Sequence, residues 1–162
     1  MNTNPSHVRR YELPAFDGEP PDVSARVGAD LETRSTTTVL YVRGDIDAYT
    51  ITRWRRVLDD AFRRASESGQ LVVELNGVTF MSCRSILDLA CRAQQHHDTL
   101  RVSVVKAAPS VVDRVITAAG LTPWLTVHTD LADVIPTTTD PPRPNPRVWT
   151  HHEIDRGTPT HQ

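Results

Sequence analysis

The amino-acid sequence predicts an α/β domain with a mixed, mostly parallel sheet of four to five strands covered by about four helices. Short apolar strands alternate with amphipathic helices over about residues 30–135, which is the pattern of a parallel sheet with crossover helices. The segment Leu71–Leu75 is almost continuously apolar, as expected of a strand covered on both faces. Ten of the 12 prolines lie outside this stretch. We therefore predict one domain over 29–135, with disordered tails over 1–28 and 136–162.

The first half of the domain contains one predicted helix between two strands. The first strand covers Val39–Val42 and ends at Gly44, and one more strand is expected near Leu31–Arg34. The helix runs from Ile51 to Gly69, because apolar residues recur at helical spacing and glycine often follows the last helical turn. Its predicted inner face comprises Ile51, Trp54, Leu58, Ala61 and Ala65, and its predicted exposed face comprises Arg53, Arg56, Asp60 and Arg64.

The second half continues the alternation of strands and helices. Pro109 suits the first turn of a helix, and Asp130 suits the cap of a final helical turn. The predicted order is a strand at Leu71–Leu75, a helix at Cys83–His97, a strand at Leu100–Val105, a helix from Pro109 to Gly120, a strand at Leu125–Val127 and a turn at Leu131–Ile135.

Composition excludes several classes of function. The net charge of −2 over 162 residues argues against a dedicated nucleic-acid-binding protein. No apolar run approaches the length of a membrane span, and the N-terminus lacks the apolar core of a signal peptide, so we expect a cytoplasmic protein with no membrane partner. We expect no cofactor, because no glycine-rich phosphate loop is present, and no metal, because the adjacent pairs His96-His97 and His151-His152 lack the usual ligand spacing.

Two features could carry catalysis, but each has a simpler interpretation. Asp45 and Asp47 could act as an acid and a base, yet a turn with Asp47 as a helix N-cap is more common. Cys83 could be a nucleophile at a helix start, yet a small packing residue is more common. Cys83 and Cys91 lie eight residues apart on one helix, about 12 Å, which is too far for a disulfide. We do not expect an enzyme.

Three segments of the domain carry a recognisable set of motifs: GDIDAYTITRWRRVLDDAF, LVVELNGVTFMSCRSILDLACRAQQ and LRVSVVKAAPSVVDRVITAAGLTPWL, which cover about residues 30–135. The motifs are the Gly-Asp-Ile-Asp turn, the VxLxGVxF strand, the helix led by Pro109 and the Gly-Leu pair after it. Together they resemble the STAS domain, and in particular the bacterial anti-sigma factor antagonists. The resemblance implies a protein-binding module whose partner is an anti-sigma factor of the serine-kinase type. In that family the antagonist releases a sigma factor until the kinase phosphorylates a serine at the start of the helix after VxLxxVxF.

The sequence departs from the family at that serine. The usual Asp-Ser-Ser-Gly is replaced by Ser82, Cys83, Arg84 and Ser85, so that Arg84 stands where the acceptor belongs. A guanidinium has no hydroxyl, and we therefore expect phosphorylation at the usual site to be lost. Ser82 and Ser85 are the remaining candidate phosphoacceptors, although Ser82 is favoured as a helix N-cap.

The resemblance places a partner-binding face at two loops. Arg84 is expected either to extend into solvent or to reach a carboxylate of the partner. Alternative functions are a STAS scaffold or sensor subunit bound to other STAS proteins, and a small-molecule or redox sensor that uses Cys83. The predicted partner-binding residues are Asp45, Asp47, Tyr49, Thr50, Ser82, Cys83, Arg84, Ser85 and Ile86.

Overall fold

A computed structural model describes residues 8–34, 36–107 and 110–135, which form a mixed sheet with helices packed against it. The predicted tail over 136–162, with His151 and His152, lies outside the described residues. The strands are β1 (Arg9–Glu12), β2 (Val27–Thr33), β3 (Thr38–Ile46), β4 (Gln70–Met81), β5 (Arg101–Val105) and β6 (Thr126–His128). The helices are α1 (Pro21–Arg26), α2 (Ile51–Ser68), α3 (Cys83–Gln95) and α4 (Val111–Ala118), followed by a short 3₁₀ turn at Leu131–Asp133.

The six strands lie in the sheet in the same order as in the sequence. The pairs β1–β2 and β2–β3 are antiparallel, and the pairs β3–β4, β4–β5 and β5–β6 are parallel. Each parallel pair is joined by a helix, and successive right-handed crossovers that advance in one direction place their helices on one face. The predicted α/β class and mostly parallel sheet are confirmed, with six strands instead of four to five.

The main core lies between the sheet and the helices α2, α3 and α4. Helix α2 supplies its longest stripe, and Gly69 ends that helix in the left-handed conformation with φ 80°, as predicted. The buried residues of α2 are Arg53, Trp54, Val57, Leu58, Ala61, Phe62 and Ala65.

The opposite face of the sheet carries a smaller apolar cluster. Val39 of β3 and Val72 of β4 are paired in the register, and Val105 of β5, which is paired with Glu74, packs in the same cluster as these two residues and Ile135. Asp130 caps the 3₁₀ turn that leads to Ile135 by accepting from the Ala132 N–H at 2.9 Å, as predicted. The short turn therefore covers the centre of this face of the sheet.

The prediction of disorder over residues 1–28 does not hold for residues 8–28. These residues include β1, which pairs with β2, and α1, and they pack against Arg53, which the sequence placed on the exposed face of α2. Arg53 is only 2% exposed, and its guanidinium donates to the carbonyls of Leu13 and Pro14 at 3.1 Å and of Val27 at 2.7 Å. It also pairs with Glu19 at 2.8 Å, a side chain that is 5% exposed. A buried guanidinium requires such partners, and residues 13–19 provide them.

Gly44 does not end β3, which continues to Ile46. Its φ of 100° is in the region that favours glycine, and a Cβ at this position would lie 1.8 Å from the carbonyl oxygen of Arg26. The register between β3 and β4 also shifts on both sides of this residue. Gly44 therefore allows the end of α1 to approach β3 closely. Beyond this residue, β3 and β4 continue as a pair to Ile46 and Met81.

Candidate functional site

The carboxyl ends of β3 and β4 place two loops side by side. Ile46 pairs with Met81 in the parallel register, and the Ser82 N–H donates to the Ile46 carbonyl at 2.9 Å. Loops and helix starts at this edge of a parallel sheet are a frequent location for binding sites. We refer to residues 45–50 and 80–87 together as the loop face.

The first loop is built around the Asp47 carboxylate. Its Oδ1 accepts from the N–H groups of Tyr49 at 2.9 Å and Thr50 at 3.1 Å, and the Thr50 hydroxyl donates to the Asp45 carbonyl at 2.8 Å. Desolvation would raise the pKa of Asp47, but these N–H groups and the Arg26 guanidinium outweigh it and hold the pKa below its ordinary value. Thr50 is the N-cap residue of α2, so the prediction of Asp47 as N-cap is wrong, and Asp47 instead closes the turn before the helix.

The second loop is capped by Ser82, as predicted. Its hydroxyl accepts from the Ser85 N–H at 3.3 Å and lies 2.7 Å from the Ser85 hydroxyl. Ser85 is fully buried, and its hydroxyl also donates toward the Ile46 carbonyl at 3.5 Å. The two serines are therefore parts of one hydrogen-bonded cap that joins both loops.

A buried tryptophan supports this cap from below. Trp54 of α2 is fully buried, and its indole N–H donates to the Ser85 carbonyl at 3.0 Å. Two ion pairs then join α2 and α3 along their exposed edges, Arg55 with Asp88 at 2.8 Å and Arg92 with Asp59 at 2.9 Å. The start of α3 is thus held rigidly against α2.

The nine predicted partner-binding residues separate by burial. Tyr49, Cys83 and Arg84 are exposed, and Asp45, Asp47 and Ser82 are partly buried. Three of the predicted residues are buried in this chain, and their side chains support the loops from inside. These three residues are Thr50, Ser85 and Ile86.

Arg84 extends from the first turn of α3 and is exposed. No carboxylate among the described residues forms an ion pair with it. A cation in the first turn of a helix is slightly unfavourable, since the helix dipole is positive there. Arg84 is therefore exposed without a carboxylate partner within the described ranges.

Two exposed apolar side chains flank Arg84 in the sequence. Phe80 is 54% exposed at the end of β4, and Leu87 is 44% exposed on α3. Phe80 also lines a groove of about 170 Å³ with Val111 at the start of α4, another exposed apolar residue. Phe80 was missing from the predicted set; its alternation with the inward-facing Met81 at the end of β4 was the available signal.

Cys83 does not have the predicted packing role, because it is exposed. Cys91 is also exposed, and both thiols are free. His96 packs against Phe62, with the ring planes tilted by 49° and the centroids 5.2 Å apart. Among residues 8–34, 36–107 and 110–135, no three His, Cys, Asp or Glu side chains are grouped as a metal site would require. No helix in the same ranges is long and apolar enough to cross a bilayer.

Helix α1 contacts the first loop directly. Arg26 pairs with the Asp47 Oδ2 at 2.7 Å, and the Tyr49 hydroxyl donates to the Asp22 carboxylate at 2.6 Å. The N-terminal segment, predicted to be a tail, therefore packs along one side of the loop face.

Comparison with known proteins agrees with this architecture. The STAS domain model matches residues 28–134, and the chain belongs to the STAS domain family. The predicted resemblance is confirmed. Among curated proteins, the anti-sigma-F factor antagonist RsfA of Mycobacterium tuberculosis is 28% identical over 126 residues, which cover 77% of this chain and 91% of RsfA.

A solved structure has the same fold. The crystal structure of an anti-sigma factor antagonist from Mycobacterium paratuberculosis superimposes with a TM-score of 0.58 at 23% identity. The match covers 70% of this chain and 92% of that protein. The likeness therefore extends over nearly the whole of that protein.

Proposed function

We propose that this protein is an anti-sigma factor antagonist that binds an anti-sigma factor through the loop face and so releases a sigma factor. The observation that carries the proposal is the similarity to RsfA, an anti-sigma-F factor antagonist by name, along 91% of its length. Membership of the STAS family supports it. The protein acts by binding, without catalysis of its own, and we propose the cytoplasm as its location.

The side chains on the loop face support a role in protein binding. Tyr49, Phe80 and Leu87 are exposed at 52%, 54% and 44%, and Arg84 has no partner among the described residues. Aromatic residues and arginine are enriched in the centres of protein interfaces, where a planar guanidinium recognises carboxylates. We propose that the anti-sigma factor presents an acidic side chain to Arg84.

We further propose that the partner is of the serine-kinase type but that phosphorylation does not release it. Arg84 occupies the acceptor position of the family and has no hydroxyl. Ser85 is fully buried, so a kinase would reach it only after local unfolding. Ser82 is committed to the cap of α3, and its modification would disrupt that cap.

Phosphorylation can be tested with a cognate kinase and ATP, followed by phosphopeptide mass spectrometry. We expect no stoichiometric phosphate on the loop face of the native protein and its appearance on the Arg84→Ser variant. Stoichiometric phosphate on Ser82 or Ser85 of the native protein would contradict this part of the proposal.

Binding can be tested by capture from native lysate with the natural protein, with Phe80→Ala and with Arg10→Gln as a control. Arg10 is exposed on β1 and pairs with Asp30, away from the loop face. We expect an anti-sigma factor with the natural protein and the control, and a loss of about 2 kcal/mol or more of binding free energy with Phe80→Ala. Recovery only of other STAS proteins in a large assembly would favour the scaffold function, and recovery of neither would exclude the antagonist function.

A further inference from the structure

Helix α1 lies outside the residues 28–134 that match the STAS domain model, yet it contacts the proposed binding face. Its contacts are made with two residues of the first loop, Asp47 and Tyr49. We propose that Asp22 and Arg26 of α1 are positioning residues that hold Tyr49 and Asp47 in the conformation that binds the partner. This inference rests on the proposed function.

Tyr49 is the residue most dependent on this support. More than half of its surface is exposed, so little of the core restrains its ring. Its hydroxyl donates to the Asp22 carboxylate at 2.6 Å, and the Arg26 guanidinium lies 5.5 Å from the ring centroid. A hydrogen bond to a carboxylate and a cation near the ring together favour one rotamer of an otherwise free side chain.

Asp47 joins the same contacts to the backbone of the loop. One carboxylate oxygen accepts from the Tyr49 and Thr50 N–H groups, and the other pairs with Arg26 at 2.7 Å. A single carboxylate thus connects the end of α1 to the turn that presents Tyr49. Removing the Arg26 side chain would leave the hydrogen bonds within the turn intact, but the turn would lose its ion pair with α1.

The segment that carries α1 is itself anchored in the core. Glu19, two residues before α1, forms the buried ion pair with Arg53 of α2. Val23 of α1 is buried, and Pro20, Val23 and Tyr49 line one pocket of about 230 Å³ between α1 and α2. Because the segment before α1 is anchored in the core, Asp22 and Arg26 have a fixed position and can hold Tyr49 and Asp47 in one conformation.

Fixing a side chain before binding increases affinity, since the partner does not have to order it. Exposed ion pairs add little to global stability. A positioning role therefore predicts that Asp22→Ala and Arg26→Gln reduce affinity while the melting temperature hardly changes. Ordering one rotamer-rich side chain on binding corresponds to a loss of affinity of about three- to tenfold.

The experiment measures the Kd for the purified anti-sigma factor, with two matched controls. Asp17→Ala removes an exposed carboxylate of the same N-terminal segment, and Arg9→Gln removes an exposed guanidinium of β1. We expect the Kd to rise about three- to tenfold for Asp22→Ala and Arg26→Gln and to stay unchanged for the controls. Asp22→Glu should restore most of the affinity by keeping the acceptor.

A second readout needs no partner. The hydrogen bond to Asp22 raises the pKa of the Tyr49 phenol, because ionisation would lose that bond and place two negative charges together, whereas Arg26 lowers it. NMR titration of Tyr49 should show a lower pKa in Asp22→Ala and a higher pKa in Arg26→Gln.

The two readouts separate the two proposals. If the natural protein binds the anti-sigma factor and the α1 variants bind equally well, the positioning role is wrong and the proposed function stands. If the natural protein binds no anti-sigma factor, the proposed function fails and the positioning role for that partner fails with it; the Tyr49 titration then reports only on the contact with α1.

Discussion

Replacement of Arg53 by methionine tests why the N-terminal segment is ordered. The substitution keeps a long unbranched side chain at the surface of α2 that contacts β2, but it removes the guanidinium. The Glu19 carboxylate, 5% exposed, then loses its cation, and the carbonyls of Leu13, Pro14 and Val27 lose their shared donor.

The expected cost follows from these lost partners. Breaking a buried ion pair by removing one member typically costs about 3–5 kcal/mol. Each carbonyl left buried without a donor could add about 1–3 kcal/mol, but residues 13–19 can move into water and relieve that part. We therefore expect Arg53→Met to lower the free energy of unfolding by about 3–5 kcal/mol, a large fraction of the 5–15 kcal/mol typical of a domain.

Urea unfolding followed by tryptophan fluorescence measures this change, and limited proteolysis reports on the N-terminal segment. Arg63→Met is the control, because Arg63 is exposed on the same helix and should change stability by less than about 0.5 kcal/mol. Cleavage within residues 13–26 should become faster in Arg53→Met and stay unchanged in the control. A loss below about 1 kcal/mol with unchanged cleavage would refute the assigned role of Arg53.

Three further predictions concern the strand end, acid stability and the thiols. Gly44→Ala should lower the free energy of unfolding by about 2 kcal/mol or more in urea, because its Cβ would meet the Arg26 carbonyl at a positive φ; a change below about 0.5 kcal/mol would contradict the close approach. Desolvation raises the pKa of Asp30, but hydrogen bonds from two arginines outweigh it, so the folded pKa lies below the ordinary 3.8. The ionised Asp30 therefore stabilises the fold above pH 3.8, and this contribution is lost as the pH falls through the folded pKa. Asp30→Asn should make the free energy of unfolding less dependent on pH in this acid range, and an unchanged pH dependence would contradict the prediction. Cys83 and Cys91 should both react with a thiol reagent in the native protein, since both are exposed, and a protected thiol would contradict that exposure.

The helices and parallel strands could be predicted because their information is local. Helix α2 was predicted from Ile51 with Gly69 as its stop, and it spans Ile51–Ser68 with Gly69 as the C-cap residue, since a stripe of apolar residues and a terminal glycine lie within the segment itself. The cap of α3 by Ser82 was predicted for the same reason.

The role of Arg53 could not be predicted, because its partners lie 26 to 40 residues earlier in the chain. A charged residue next to an apolar stripe is usually exposed, and only tertiary contacts with Glu19 and three carbonyls reverse that expectation. The burial of Ser85 was missed similarly. Its position relative to Trp54 depends on how α2 and α3 pack, which the periodicity of either helix does not determine.

The most direct test of the proposed function is the release of a sigma factor from its complex with the anti-sigma factor. A fluorescently labelled sigma factor in that complex is titrated with this protein, and its anisotropy is followed before and after addition of ATP. We predict that anisotropy falls to the value of free sigma factor at saturating protein, that ATP does not reverse the change, and that Phe80→Ala shifts the titration to higher concentration. Unchanged anisotropy at saturating protein would contradict antagonist function, and reversal by ATP would contradict the loss of the phosphorylation switch at Arg84.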